Sequence, residues 1–225
     1  MNQKKVVDIY YFTDILCIWA YVAQIRMDEL KKTFGEQIRV HQKFVQVFGS
    51  IESKIQGAWA KNGGIEGYGK HVQEVATGFK HIQLHDDIWH KNTPTSSMSC
   101  HLYLKAVQLL GNKGQLDSNS DVAIWAMREA FFKNLVDISS AKGQQQVTES
   151  LGLPWSAIQA LICSGEAFAA LAEDAQLVDK YSVKGSPTLV MNEGRQVLYG
   201  NVGYKVMEAN VQELLNHSER QVSWC

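Results

Sequence analysis

Near its amino terminus the chain carries Val6-Val7-Asp8-Ile9-Tyr10-Tyr11-Phe12, an almost wholly apolar run of β-branched and aromatic residues. Such a run is typical of a central strand that is buried on both faces. After Thr13-Asp14-Ile15-Leu16 and Cys17, apolar residues recur at three- and four-residue steps as far as Phe34, which predicts a helix. A second strand is predicted from Ile38 to Phe48. Strand, helix and strand over about forty residues indicate a β-α-β unit with parallel strands.

The rest of the chain continues with helices and then returns to strands. From about Glu52 to Lys180 the apolar spacing is mainly helical. Thr188–Met191 and Gln196–Tyr199 flank a turn that contains Gly194, which predicts an antiparallel hairpin, and a last helix is predicted from Tyr204 to Asn216. This order predicts an α/β protein, a thioredoxin fold with a helical insertion after the first β-α-β unit. We assign residues 1–50 and 181–225 to a thioredoxin-like domain and residues 51–180 to the inserted helical domain.

Composition and charge exclude several classes of protein. The 225 residues include 45% hydrophobic and 20% charged side chains, which is ordinary for a globular chain. Lys and Arg number 22 against 23 Asp and Glu, and no long basic run occurs, so we expect neither nucleic acid nor a membrane surface as partner. The amino terminus does not resemble a secretory signal, and no run approaches the length of a membrane-spanning helix. The sequence therefore predicts a cytoplasmic protein, and it does not specify an oligomeric state.

The four cysteines, Cys17, Cys100, Cys163 and Cys225, are the first candidates for chemistry. None stands in a CxxC pair, and in a reducing compartment they are expected to be thiols. Cys17 lies where the first strand meets the first helix, and the amide groups and dipole of a helix N-terminus lower the pKa of a thiol. The same position also suits a small buried hydrophobe. We expect Cys100 and Cys163, which lie in helical patterns, to be core or near-core thiols.

Two short motifs and one further element resemble a known family. Phe12-Thr13-Asp14-Ile15-Leu16-Cys17-Ile18-Trp19-Ala20-Tyr21 resembles the active-site turn of the DsbA-like branch of the thioredoxin superfamily, in which an aromatic strand end and an acidic residue precede Cys-Pro-Trp-Cys-Tyr or a close variant. Lys184-Gly185-Ser186-Pro187-Thr188 resembles the cis-proline loop of that branch, and Asn92-Thr93 with His101-Leu102 resembles its Asn-Thr…Ala-His-Arg-Leu element. The resemblance implies that Cys17 is the nucleophile. It also implies that a cis Ser186–Pro187 bond faces Cys17 and that Ser186 offers its backbone to an extended substrate, with Trp19 and Thr188 beside it.

The sequence departs from the family at three places. Ala20 occupies the position of the second, resolving cysteine, so the CxxC motif is reduced to Cys-Ile-Trp-Ala, and Ile18 replaces a frequent proline. Gly200-Asn201-Val202-Gly203-Tyr204 lacks the acidic residue of the corresponding element in kappa-class glutathione transferases and 2-hydroxychromene-2-carboxylate isomerases. Asp14 is close enough in sequence to tune the thiol, although a carboxylate near a thiolate raises its pKa.

These features predict a thiol–disulfide oxidoreductase that works through the single thiol of Cys17. Its partners would be protein or small-molecule thiols and disulfides, and it would need no cofactor, with glutathione as a candidate co-substrate. One alternative is a glutathione-linked transferase or isomerase of the two classes named above. Another is a thioredoxin-like binding module without redox activity, in which Ala20 marks the loss of turnover.

Two further groups of residues, a histidine-rich segment and the last cysteine, are candidates for chemistry. His81 and His85, at helical spacing and near Asp86, Asp87 and His90, could share a helix face, but the zinc-site signature H-E-x-x-H is absent. A polar surface segment is the favoured interpretation, and no metal is expected. Cys225 follows Trp224 at the end of the sequence and is a candidate remote resolving thiol, although an exposed thiol without a role is favoured.

Overall fold

The computed structural model describes residues 6–116 and 120–216 of the 225. Within them one mixed sheet has the strand order β2-β1-β3-β4. β2 is parallel to β1, whereas β3 is antiparallel to both β1 and β4. The strands are β1 (Val7–Thr13), β2 (Ile38–Phe44), β3 (Thr188–Met191) and β4 (Gln196–Tyr199). The predicted parallel β-α-β unit and antiparallel hairpin are therefore confirmed.

Helices occupy most of the remaining chain. The helices are α1 (Ile18–Phe34), α2 (Ile51–Lys54), α3 (Gly64–Thr77), α4 (Met98–Asn112), α5 (Ser120–Phe132), α6 (Ala141–Ser150), α7 (Trp155–Cys163), α8 (Glu166–Lys180) and α9 (Tyr204–Asn216). A π-helical turn (Ile55–Trp59) and a 3-10 turn (Ala60–Asn62) connect α2 to α3. Because α2 to α8 all lie between β2 and β3 in the chain, the thioredoxin fold with a helical insertion is confirmed.

The sheet is built around β1, as its apolar run predicts. Ile9, Tyr11 and Phe12 have no solvent exposure, and β1 is paired on both sides. The second strand is shorter than predicted, since it ends at Phe44 and not at Phe48. The pairing stops there because β1 itself ends at Thr13, the partner of Phe44. Four residues later the Phe48 amide donates to the Asp14 carboxylate at 2.8 Å.

The inserted helices pack directly on the segment that joins β1 to α1. Leu16, Ile18 and Tyr21 belong to one continuous apolar cluster with Tyr103 of α4 and Phe131 of α5. A smaller cluster lies between the sheet, α1 and α9. The junction of β1 and α1 is thus enclosed by side chains from both parts of the fold.

The structure corrects the prediction for Cys163 at the end of α7. Cys163, the last residue of α7, is exposed, although we expected it in or near the core. The reason is that α7 buries Ile158 and Leu161, and Cys163 lies on another side of the helix. Within the described residues no single helix is long and apolar enough to cross a membrane; α7 and α8 pass only as a pair, by length and composition, with a bend of 67°.

Candidate functional site

Cys17 caps the N-terminus of α1 and faces the loop before β3. Its backbone is extended, with φ −82° and ψ 116°, and its carbonyl accepts the Ala20 and Tyr21 amides at 3.1 Å. Its thiol donates to the carbonyl oxygen of Ser186, with 3.3 Å between sulfur and oxygen. The residue is only 5% exposed. The structure therefore brings together Cys17 and Ser186, which are 169 positions apart.

The expected decrease in the pKa of Cys17 is wrong, because the prediction did not include burial. Burial raises the pKa of the Cys17 thiol above its ordinary value. A hydrogen bond with the Ser186 side chain and the amides of Ala20 and Trp19 lower it, and the Asp14 carboxylate raises it. The helix N-terminus thus acts in the expected direction, but the loss of solvent around the sulfur outweighs it.

The loop that contains Pro187 is connected to both the active-site turn and the sheet. The Ser186–Pro187 peptide bond is cis. The Ser186 hydroxyl accepts the Asp14 amide at 2.9 Å, and the Pro187 carbonyl accepts the Gly200 amide at 2.8 Å. The Thr188 hydroxyl donates to the Gly185 carbonyl at 2.7 Å. These bonds hold Ser186 and Pro187 beside Cys17.

Asp14 is a fully buried carboxylate that holds the turn before Cys17. One of its oxygens accepts the Leu16 amide at 3.0 Å. The other accepts the Phe48 amide and the Ser97 hydroxyl, both at 2.8 Å. Asp14 therefore joins the turn to the chain after β2 and to the start of α4, in addition to its effect on the pKa of Cys17.

His101 on α4 is a site residue to which sequence reasoning assigned no role. Its Nε2 atom accepts the Ile15 amide at 3.2 Å and lies 3.8 Å from Asp14 Oδ1. Its ring stacks on Phe44, with 4.7 Å between centroids and 16° between planes. Burial lowers its pKa below the ordinary value. The resemblance of His101-Leu102 to a family element was the one signal for it, since helical spacing does not tell which residue of α4 contacts the turn.

Trp19 and Ala20 occupy the first turn of α1. Trp19 is half-buried and packs edge-on against Phe79, with 6.2 Å between ring centroids. Ala20 has no exposure, so the position of the absent resolving cysteine lies in the core directly behind Cys17. Trp19 thus has both a packed and an exposed part, whereas Ala20 contributes a packed side chain and a backbone amide.

The remaining candidates lie away from this site or outside the described residues. His81 Nε2 donates to the Val22 carbonyl at 2.9 Å, and His85 Nδ1 accepts the Asp87 amide at 3.0 Å. Residues 81–85 are not helical, so the prediction that these two histidines could share a helix face is wrong. Among the described residues no group of three His, Cys, Asp or Glu side chains could hold a metal ion. Cys100 is buried, and Cys225 lies outside the described residues.

Comparison with known proteins identifies the family and supports the fold. The profile of the DSBA-like thioredoxin domain family matches residues 7–212. No curated protein matches significantly. Among solved structures, a protein from Nitrosomonas europaea is 14% identical and has a TM-score of 0.74, with coverage of 94% of this chain and 98% of that one.

Two further solved structures have functional names. The cytosolic disulfide reductase DsbM from Pseudomonas aeruginosa is 19% identical, covers 92% of this chain and 99% of its own, and has a TM-score of 0.67. A 2-hydroxychromene-2-carboxylate isomerase is 17% identical, covers 92% of this chain and 95% of its own, and has a TM-score of 0.65. At these identities the likeness establishes the fold alone.

Proposed function

We propose, since this chain belongs to the DSBA-like thioredoxin domain family, that it is a thiol–disulfide oxidoreductase that reacts through the single thiol of Cys17. One observation carries this proposal: the Cys17 sulfur lies 3.3 Å from the carbonyl of Ser186, beside a cis proline and at the N-terminus of α1. A disulfide that approaches this loop in an extended conformation would meet the sulfur and the Ser186 backbone together.

The proposed reaction has two exchange steps. The Cys17 thiolate attacks one sulfur of a disulfide, that S–S bond breaks, and the displaced sulfur leaves as a thiolate that takes a proton from water. A mixed disulfide on Cys17 results. Because Ala20 replaces the resolving cysteine, a second thiolate from outside the motif attacks the mixed disulfide and releases Cys17. Each step is reversible, so the surrounding thiols set the direction.

Glutathione is the proposed second thiol. When the substrate is a mixed disulfide with glutathione, the first step leaves glutathione on Cys17, and a second glutathione then leaves with it as oxidised glutathione. The structure of DsbM with GSH supports this choice for a related fold. The transferase or isomerase alternative has weaker support, because Gly200-Asn201-Val202-Gly203-Tyr204 lacks the acidic residue that those enzymes carry in the corresponding element.

A cytoplasmic location is proposed together with this chemistry. A reaction that ends with free Cys17 needs a pool of reduced thiols, which the cytoplasm maintains. DsbM, one of the similar structures, is described as cytosolic. We propose no metal and no bound cofactor, since thiol exchange needs neither.

The test uses the purified full-length protein, a mixed disulfide of glutathione with a short cysteine-containing peptide, and reduced glutathione. We expect the protein to accelerate release of the peptide thiol, and Cys17→Ser to reduce the rate to that without protein. Cys163→Ser is the matched control, because Cys163 is an exposed thiol in another part of the fold, and its rate should equal that of wild type. Turnover by Cys17→Ser at the wild-type rate would refute the proposal.

A binding module without redox activity is the second candidate, and the burial of Cys17 favours it. A thiol that is 5% exposed and has a raised pKa is mostly protonated near neutral pH, and the thiol form is a poor nucleophile. The rate of Cys17 alkylation against pH distinguishes the two. A wild-type protein that binds extended peptides but shows no mixed disulfide by mass spectrometry would favour the binding module.

A further inference from the structure

His101 is a buried titratable residue that the two exchange steps do not use. It contacts the turn before Cys17 through a ring nitrogen that accepts the Ile15 amide. A histidine nitrogen that accepts a hydrogen bond carries no proton, so the neutral ring must carry its proton on Nδ1. Nδ1 has no hydrogen-bond partner among residues 6–116 and 120–216. The contact with Ile15 therefore determines which tautomer the ring adopts.

A second acceptor for this ring lies close by. Asp14 Oδ1 is 3.8 Å from His101 Nε2, too far for a hydrogen bond but near enough to become one after a movement of about 1 Å. If Nε2 gained a proton, its N–H and the Ile15 N–H would point at each other as two donors. The protonated ring would then bond to Asp14 and release the Ile15 amide.

The surroundings of the ring oppose that protonation at neutral pH. Burial is the largest influence on the pKa of His101 and lowers it, and the positive charges of Lys105 and Arg128 act in the same direction. Asp14 and Asp174 raise it. The ring packs against Phe44 of β2 and lies on α4, while Arg128 comes from α5 and Asp174 from α8. Charged groups from the turn and from three helices thus act on one imidazole.

We propose that His101 is a positioning residue for Cys17: its neutral ring holds the Ile15 amide and thereby the active-site turn, and a proton on Nε2 releases the turn by moving the ring to Asp14. The Ile15 amide lies two residues before Cys17, whose own amide is bonded within the turn to the Asp14 carbonyl at 3.1 Å. A loosened turn would therefore displace the sulfur from Ser186. This inference depends on the proposed function only in taking Cys17 as the reacting thiol.

The tautomer can be tested in the unaltered protein by NMR. Two-bond 1H–15N correlations of the imidazole should show Nε2 unprotonated and Nδ1 protonated above neutral pH, with the ring assigned from its absence in His101→Gln. On acidification the Ile15 amide resonance should shift with the same midpoint as the ring. A neutral ring that carries its proton on Nε2, or an Ile15 amide that does not follow the ring titration, would overturn the proposal. Neither readout requires disulfide turnover, so this arm tests His101 even if the proposed function fails.

The effect on the reaction is tested with two substitutions of His101. In His101→Gln the amide oxygen can still accept from Ile15, whereas His101→Leu fills the space without an acceptor. We expect kcat/KM for the glutathione-dependent reaction to fall about fivefold in His101→Leu, as expected for the loss of one hydrogen bond, and to stay near wild type in His101→Gln. Cys163→Ser and Cys225→Ser in all proteins leave Cys17 and the buried Cys100 as the remaining thiols.

The pH profile separates positioning from simple packing. After division by the measured thiolate fraction of Cys17, the wild-type rate should decrease on the acid side with the midpoint of the His101 ring, and the His101→Gln rate should not. Equal losses in His101→Gln and His101→Leu, or the same acid decrease in wild type and His101→Gln, would show that His101 contributes only packing and would overturn the proposal.

Discussion

At the scale of single residues, the reactivity of Cys17 is the balance of two opposing effects. The amides of Ala20 and Trp19 and the Ser186 side chain stabilise the thiolate, whereas burial favours the thiol. Burial is the larger effect, so any change that opens the site to water should lower the pKa of Cys17. An arriving disulfide that separates the Ser186 loop from α1 would itself make such an opening.

Ala20→Cys should change the source of the second thiol. The new side chain would stand three residues after Cys17 in the first turn of α1, the spacing at which a CxxC pair forms a disulfide. We expect the mixed disulfide on Cys17 to be released internally, so that the first turnover no longer requires glutathione. Rapid-quench mass spectrometry without glutathione measures this. A mixed disulfide that accumulates as in wild type would contradict the expectation, and Ala20→Ser provides a control of similar size.

Asp14→Asn should lower both the stability of the protein and the pKa of Cys17. The substitution removes a negative charge that raises the pKa of the thiol. It also places an amide NH2 group against donors, because both carboxylate oxygens accept hydrogen bonds. We expect a loss of about 1–3 kcal/mol in the free energy of unfolding, measured in urea, and faster alkylation of Cys17 below pH 8. Asp86→Asn, at an exposed position, is the control and should change neither quantity.

The sequence predicted the reacting residues of the site but not the residues that hold the turn before Cys17. Cys17, Ser186 and Pro187 were found through two short motifs. Two of the three donors to the Asp14 carboxylate lie 34 and 83 positions away, at Phe48 and Ser97, and no local pattern marks them. The sequence left the burial of Cys17 as one of two alternatives, since it depends on helices packed over the turn from elsewhere in the chain.

At the scale of elements, one buried ion pair joins a strand to two helices. Asp174 of α8 accepts the Phe44 amide of β2 at 2.9 Å and lies 2.6 Å from Lys105 Nζ of α4 and 3.1 Å from Lys43 Nζ of β2. Burial lowers the pKa of Lys105, and the negative charge of Asp174 opposes that effect. His101 stacks on the ring of Phe44, whose amide Asp174 holds. The ion pair therefore helps to fix the position of His101.

Asp174→Asn should therefore be strongly destabilising. It would leave the nearly buried ammonium group of Lys105 without its opposite charge, and breaking a buried pair in this way costs about 3–5 kcal/mol. Chemical denaturation measures the change in the free energy of unfolding. Glu173→Gln, at the exposed neighbouring position of the same helix, is the matched control and should have little effect. Equal stability of both variants would show that the pair contributes nothing.

Element boundaries were predicted well where the apolar spacing stops with the element. They were predicted poorly where the spacing continues beyond the end of the element. The limits of β3, β4 and α9 coincide with their predicted ranges. β2 ends before Phe48 because its partner β1 ends at Thr13, opposite Phe44. His81 and His85 have helical spacing but lie after the end of α3 at Thr77. Spacing alone does not show where a helix stops.

At the scale of the whole molecule, His101 should make stability depend on pH. Its folded pKa lies below the ordinary value near 6.5, so the unfolded chain binds the proton first as the pH falls. The free energy of unfolding should consequently decrease below about pH 6.5 and continue to do so until the folded pKa is reached, by at most about 1.4 kcal/mol per pH unit. His101→Gln removes this contribution. Denaturation at pH 8 and at pH 5.5 measures it, and an unchanged difference between the two in His101→Gln would contradict it.

The architecture could be predicted from the order of elements, whereas the contact between its two parts could not. A β-α-β unit, a helical stretch and a β-hairpin followed by a helix leave few arrangements other than a thioredoxin fold with an insertion. How the insertion sits on the β1–α1 junction depends on side-chain packing between residues such as Tyr21 and Phe132, whose rings stack at 5.0 Å. Such pairs have no sequence pattern of their own.

The bonds of Asp14 have a consequence for engineering a minimal version of this protein. A version without α2 to α8, in which the segment after β2 is joined to the loop before β3, would preserve the sheet, Cys17 and Pro187. It would also remove two side chains beside the turn. The Ser97 hydroxyl donates to the Asp14 carboxylate, and the His101 imidazole lies 3.8 Å from it. Water would have to replace the lost donor, and the active-site turn would lose its contacts with the inserted helices. The inserted helices therefore supply side chains that hold the reactive turn in place.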